Sequence, residues 1–175
     1  MKRWMIVINV LGGIAVIGSY VLGFIGHPDA GTVLWGGVPE VLRPAYTVGM
    51  LAAALGYFAF TGYLLLATDA AHVRVGDRFG FGIFNVLYIG ILVPSALWMP
   101  LTFMMIDQPS TWLWWIIQAV LILVGAASLG LLIALLFLRP RRTPWAFWLA
   151  VAGSVGFSIQ TAILDALIWT AYFVK

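Results

Sequence analysis

The sequence predicts an all-α integral membrane protein, a single bundle of five transmembrane helices. Two observations carry this. Fourteen of the fifteen charged residues lie at the chain ends or in four short breaks, the exception being Asp165. Between the breaks run five apolar stretches, at about 4–25, 45–67, 81–106, 112–138 and 145–173. Each exceeds the roughly 20 residues with which a helix rising ~1.5 Å per residue crosses a ~30 Å hydrocarbon layer. Backbone N–H and C=O groups find no water in that layer, so spans of this length must be helical. Charged residues make up only 9% of the chain, against about 25% in a water-soluble domain.

With 175 residues the chain has room for one bundle, residues 1–175, and no separate soluble domain. There is no cysteine, which excludes disulfides, thiolate metal sites and thiol nucleophiles. The net charge of +3 does not point to nucleic acid, because the basic residues sort by membrane side instead of forming one surface. Lys2, Arg3, Arg74, Arg78, Arg139, Arg141 and Arg142 fall on one side; Arg43 and Lys175 fall on the other. The positive-inside bias places the N-terminus in the cytoplasm and the C-terminus outside, as an odd number of spans requires. Met1-Lys-Arg-Trp ahead of an apolar run resembles a secretory signal, but the run is longer than the usual ~7–15 residues. It reads as a retained first helix.

The first span carries Gly12, Gly13, Ala15, Gly18, Ser19, Gly23 and Gly26, spaced to let a neighbouring backbone come close. The first break, 26–44, is rich in Gly and Pro and holds Trp35 and Val38, so it is expected to dip onto the bundle as a cap. The second break, 68–80, mixes Asp69, His72, Arg74, Asp77 and Arg78 and reads as a solvated turn. The third span contains Pro94 and Pro100, each of which removes a helical hydrogen bond and opens space beside it. The third break is so short that the third and fourth spans must be antiparallel neighbours. Trp112, Trp114, Trp115, Trp145 and Trp148 stand at span ends as interfacial anchors, whereas Trp98 lies within the third span. Gly/Ala stretches at 52–56 and 125–130 read as helix-packing faces.

Asp165 is the residue that most needs explaining. An ionised carboxylate at such depth costs at least ~2.5 kcal/mol. Helical spacing puts Thr161, Ser158 and Ser154 on its face, a polar stripe that must point into the bundle or at another subunit. The stripe suits either a ligand-contacting carboxylate in an internal cavity or a structural carboxyl that joins helices. His27 and His72 fall on opposite sides and cannot share one metal or haem. No HExxH, GxSxG or Walker pattern occurs, and no second intramembrane carboxylate is present for acid–base work. Enzyme chemistry is therefore not indicated, and no metal site either.

Ser95-Ala-Leu-Trp98-Met-Pro100-Leu101-Thr-Phe103 resembles the Asn-x-x-Trp-x-Pro-Leu-Phe-Phe signature of the TspO/translocator protein family, the tryptophan-rich sensory proteins. Thr161-Ala-Ile-Leu164-Asp165-Ala-Leu-Ile168-Trp169 is similar to that family's Ala-x-x-Leu-Asn-x-x-Ile-Trp ending, with Asp165 at the Asn position. Pro44-Ala-Tyr46 loosely echoes its Pro-x-Trp. Ser95 stands where the signature has Asn, and of the family's first-loop run only Trp35, Pro39 and Pro44 remain, which marks a divergent member. The resemblance implies a cavity between the helices, closed by the first loop, for a porphyrin, sterol or similar flat apolar molecule. It carries over Trp98, Pro100, Ser95 and Asp165 as cavity residues, with Thr161, Ser158, Trp35 and Tyr46 beside them.

Two functions follow as expectations. One is a sensor, carrier or scavenger of a tetrapyrrole or sterol-like ligand, requiring no cofactor beyond a bound tetrapyrrole or lipid. The other is an accessory subunit packed against a larger membrane assembly. Membrane lipid, a small apolar ligand and a homodimer or larger complex are the expected partners.

Overall fold

Residues 1–173 are described by a computed structural model, and five of their helices are long and apolar enough to cross a membrane. The spans are Lys2–Gly26, Glu40–Ala67, Gly82–Asp107, Thr111–Leu136 and Pro144–Phe173. Their regular α-helical parts are α1 (Lys2–Gly26), α3 (Arg43–Gly62), α4 (Gly82–Asp107), α5 (Thr111–Leu136) and α6 (Pro144–Ser158). A short α2 (Ala30–Val33) lies in the first break. Two helices widen into π-helix before they end: α3 through Tyr63–Ala67, and α6 through Ile159–Trp169, after which α7 (Thr170–Phe173) follows. Lys175, assigned above to the outer side, lies outside the described residues.

The helices pack in a ring. α1 lies on α4, α4 on α5, α5 on α6 and its π continuation, and α6 on α3. α1 and α3 meet through long side chains: Lys2 Nζ donates to the Leu65 carbonyl at 2.7 Å, and Tyr57 OH to Asn9 Oδ1 at 2.6 Å. Glycine sets the closest crossings. A Cβ on Gly56 would land on the Gly153 carbonyl, so here α3 and α6 touch backbone to backbone. In α1, Gly12 accommodates Leu92 and Gly23 accommodates Met99 and Phe103, whereas Gly13, Gly18 and Gly26 face open space. The small-residue stripe is thus only partly used within one chain.

At one end, the breaks read as loops join in a small sheet. Strands β1 (Arg74–Val75), β2 (Phe79–Gly80) and β3 (Leu138–Arg139) run in the order β2-β1-β3, all antiparallel. The second break is therefore not just a solvated turn. The fourth span, α5, also stops short of the apolar run: Leu138, buried and apolar, belongs to β3. Hydrophobicity alone cannot tell a buried strand residue from the last turn of a span. All seven of the basic residues Lys2, Arg3, Arg74, Arg78, Arg139, Arg141 and Arg142 lie in or beside this end. Lys2 and Arg141 cap carbonyls there, Arg141 Nη2 donating to the Leu136 carbonyl at 2.6 Å, where helix C-termini favour cations. His72 Nδ1 at 3.0 Å, with the Ala71 N–H and Arg142, holds the Asp69 carboxyl below its usual range.

At the opposite, acidic end, where Asp29, Glu40 and Asp107 lie, the first break folds onto the helices, as its Trp and Val content predicts. Ala30 is buried among Met99 and Phe103, and Val38 is buried beside Tyr46 and Trp169. The His27 ring stacks on Phe103 at 3.9 Å, with Nε2 3.3 Å from Asp107 Oδ2. Gly37 N–H donates to the Tyr172 carbonyl at 3.1 Å. Gly36 has φ +52°, and a Cβ there would lie 2.6 Å from the Phe173 ring. Strain and overlap together make Gly36→Val expected to unseat this loop. A left-handed non-glycine residue costs about 1–3 kcal/mol, so exchange of the Gly37 amide hydrogen is expected to rise at least about fivefold. Unchanged protection would show that the loop is held elsewhere.

Candidate functional site

The π-helical stretch Ile159–Trp169 decides where Asp165 points. In a π-helix the backbone bonds run i to i+5, so residues five apart stand one turn apart. Gln160 accordingly reaches Asp165, its Nε2 donating to Oδ1 at 2.7 Å. Gln160 is 4% exposed, and its Oε1 has no partner. Gly49 of α3 makes room for it, since a side chain there would collide with that oxygen and approach Leu164 Cδ1 to 2.9 Å. Tyr46, also on α3, donates its OH to the Leu164 carbonyl at 2.7 Å. Tyr20 of α1 and Tyr46 both lie within electrostatic range of Asp165.

This geometry corrects the single polar stripe expected from α-helical spacing. Thr161 turns toward α5, its hydroxyl 2.8 Å from Ser128 Oγ and 2.9 Å from the Phe157 carbonyl. Ser154 bonds back to the Val151 carbonyl at 2.9 Å. Ser158 is buried with its Oγ unpartnered. Thr161 thus joins α6 to α5, while Asp165 and Gln160 face α3. The extra residue per turn rotated the two sets apart.

Toward the acidic end, aromatic rings cover the pair. Trp98 lies between Tyr20 (centroids 6.0 Å) and Trp169 (5.6 Å). Trp169 stacks on Phe173 at 4.2 Å, and Phe173 on Trp114 at 6.0 Å. The first loop closes over them: Trp169 Nε1 donates to the Leu34 carbonyl at 2.9 Å, and Trp35 meets Tyr46 edge-on at 5.8 Å. The Trp98 indole N–H is buried without a partner.

The remaining expected residues divide. Tyr46 and Trp35 belong to this group. Ser95 is half-buried on α4, one turn from Trp98, and Pro100 is exposed on the same helix. Pro100 can therefore act only through the backbone it bends, not by lining a pocket. Beside Trp98, where a cavity was expected, stand the rings of Tyr20 and Trp169. Two clefts lie elsewhere. One runs between α1 and α4, lined by Trp4, Leu11, Asn85 and Leu92 among others; the second is at the basic end. His27 and His72 sit at opposite ends of the bundle, paired with Asp107 and Asp69 respectively.

Sequence reasoning missed Gln160 and, nearer the basic end, the bonded pairs Asn9–Tyr57 and Thr61–Tyr88. Uncharged polar residues inside apolar spans were the available signal. Against known proteins, no family model matches the chain, and no curated protein or solved structure does either.

Proposed function

We propose that this chain binds a flat apolar small molecule, of tetrapyrrole or sterol type, at the acidic end of the bundle, as a sensor, carrier or scavenger. In this reading it is a divergent relative of the TspO/translocator proteins its motifs resemble. The observation that carries it is two buried polar atoms without partners, Trp98 Nε1 among the aromatic rings and Gln160 Oε1 beside Asp165 beneath them. Buried polar groups are nearly always satisfied. A ligand with an apolar plane and a polar edge supplies both the stacking surface and the missing partners. Entry requires the Trp98 and Trp169 rings to part and the first loop to lift, so the loop acts as a lid.

Titration of the purified protein with protoporphyrin and with cholesterol tests this. Trp98→Ala is expected to weaken binding by ~1 kcal/mol or more, the worth of a lost aromatic contact. Unchanged affinity in a folded variant would reduce Trp98 to packing.

The same reading places the basic end in the cytoplasm, by the positive-inside bias. A reporter active only in the cytoplasm is expected to work when fused after Arg142 and to fail when fused at the C-terminus. The reverse pattern overturns the orientation. An accessory-subunit role is the competing reading, favoured by the wide uncovered surface of α1, where Leu11, Ile14, Ile17, Leu22 and Ile25 are all exposed. Stoichiometric foreign subunits after purification would support it; a co-purifying pigment or sterol would support binding.

A further inference from the structure

The small sheet at the basic end creates an arrangement that the bundle itself does not need. Arg74 of β1 and Arg139 of β3 are direct cross-strand partners. Residues directly opposite on antiparallel strands project to the same face, and like charges there repel. Neither guanidinium has a carboxylate partner among the described residues, where the arginine ion pairs are Arg43–Glu40 and Arg142–Asp69. Arg139 makes one weak bond, Nη1 to its neighbour Leu138 carbonyl at 3.4 Å. Both arginines line one cleft of about 560 Å³ with His72, Gly76, Asp77 and Phe137. Asp77 is the acidic group in its wall, and it pairs with neither arginine. His72 is turned to Asp69. The cleft therefore gathers two unneutralised guanidiniums whose mutual repulsion an anion would relieve.

Its position narrows the choice of anion. Phe137 follows directly on the last residue of α5, and the next residue, Leu138, is fully buried in the core. The cleft thus opens at the level where the apolar spans end, which in a bilayer is the level of the headgroups. Guanidinium groups match phosphate oxygens with paired N–H donors. We propose that this cleft binds the phosphate of an anionic membrane lipid, held between Arg74 and Arg139 with the acyl chains running down beside the end of α5. This site is independent of the ligand layer at the acidic end.

Thermal unfolding of the full-length protein in a non-ionic detergent, followed by tryptophan fluorescence, tests the proposal. Short-chain phosphatidylglycerol is expected to raise the midpoint, since a ligand that binds only the folded state stabilises it. Phosphatidylcholine of equal chain length is expected to give little shift. Arg74→Gln and Arg139→Gln are each expected to cut the shift to about a third or less. Arg78→Gln, outside the cleft, is expected to keep most of it, and Arg139→Lys, which keeps the charge but loses the paired donors, to give an intermediate shift. Inorganic phosphate at the same concentration separates the sources: a smaller shift assigns the site to lipid, and an equal one keeps the phosphate site but makes its ligand a soluble phosphorylated molecule. An equal phosphatidylglycerol shift in wild type and both glutamine variants overturns the proposal, as does an equal shift from phosphatidylcholine. Should a glutamine variant fail to fold, salt decides with the wild type alone. Raising sodium chloride from about 0.05 to about 0.5 M shortens the screening length severalfold and is expected to remove the shift; a shift that persists overturns the site.

Discussion

Gly153→Leu is expected to destabilise the bundle by about 3 kcal/mol or more and to lower its melting midpoint sharply. At this crossing the two glycines leave no space between α3 and α6: a Cβ on Gly153 would lie 2.7 Å from the Gly56 Cα and 2.9 Å from its carbonyl oxygen. The obstructing atoms are backbone, so no rotamer change can make way. The helices must separate, and α3 has α6 as its principal neighbour in the ring. Lipid tails are as apolar as leucine, so helix association in a membrane rests on close packing, which separation forfeits. Overpacking a rigid core costs about 1–3 kcal/mol and sometimes more; with backbone on both sides the upper end applies. The comparison is Gly13→Leu, at a glycine of α1 with nothing within 4 Å of the added carbon. It is expected to leave the melting midpoint nearly unchanged. Monodisperse yield and thermal midpoint in detergent measure both variants. Similar behaviour of the two would mean that the α3–α6 contact does not hold the fold.

That contrast also shows how far the sequence can be read. Span number and approximate limits were legible, because charge exclusion and length are properties of the chain itself. The docking of the first loop was legible in part, from Trp35 and Val38 in a break too apolar to stay in water. Which glycines are used was not. Gly12, Gly13, Gly18 and Gly23 look alike in sequence, and only the neighbour each one meets distinguishes them. The sheet at the basic end was hidden because its strands are two residues long and come from breaks about sixty residues apart. For the candidate site, Asp165 and Trp98 stood out as a charge and an indole within spans. Gln160 did not, because its relation to Asp165 exists only in π-helical spacing; α-helical counting assigns Thr161 instead. Backbone geometry, which the residue pattern does not announce, selected the partner.

The Gln160–Asp165 pair is expected to separate structure from function by a double-mutant cycle. In Asp165→Asn the side chain keeps an oxygen for Gln160 Nε2 and gains an N–H that can turn toward the unpartnered Gln160 Oε1. Stability is then expected to stay within about 1 kcal/mol of wild type, and ligand affinity within about tenfold, or ~1.4 kcal/mol. Asp165→Leu removes the acceptor and leaves the whole Gln160 carboxamide buried and unpaired, which costs about 1–3 kcal/mol. If a basic group or a charged ligand were instead neutralising an ionised Asp165, even the Asn variant would lose about 3–5 kcal/mol, because a buried charge would be stranded. Gln160→Leu with Asp165→Leu removes both partners together. Replacing both with apolar groups of similar shape is nearly neutral for folding, so the double variant is expected to melt closer to wild type than Asp165→Leu does. Its ligand affinity is the deciding measurement. A folded double variant that binds porphyrin or sterol more than about tenfold more weakly places the pair in ligand recognition. One that binds as wild type does leaves Gln160 and Asp165 as a helix-joining contact, and the polar edge of the ligand must then be met by Trp98 alone.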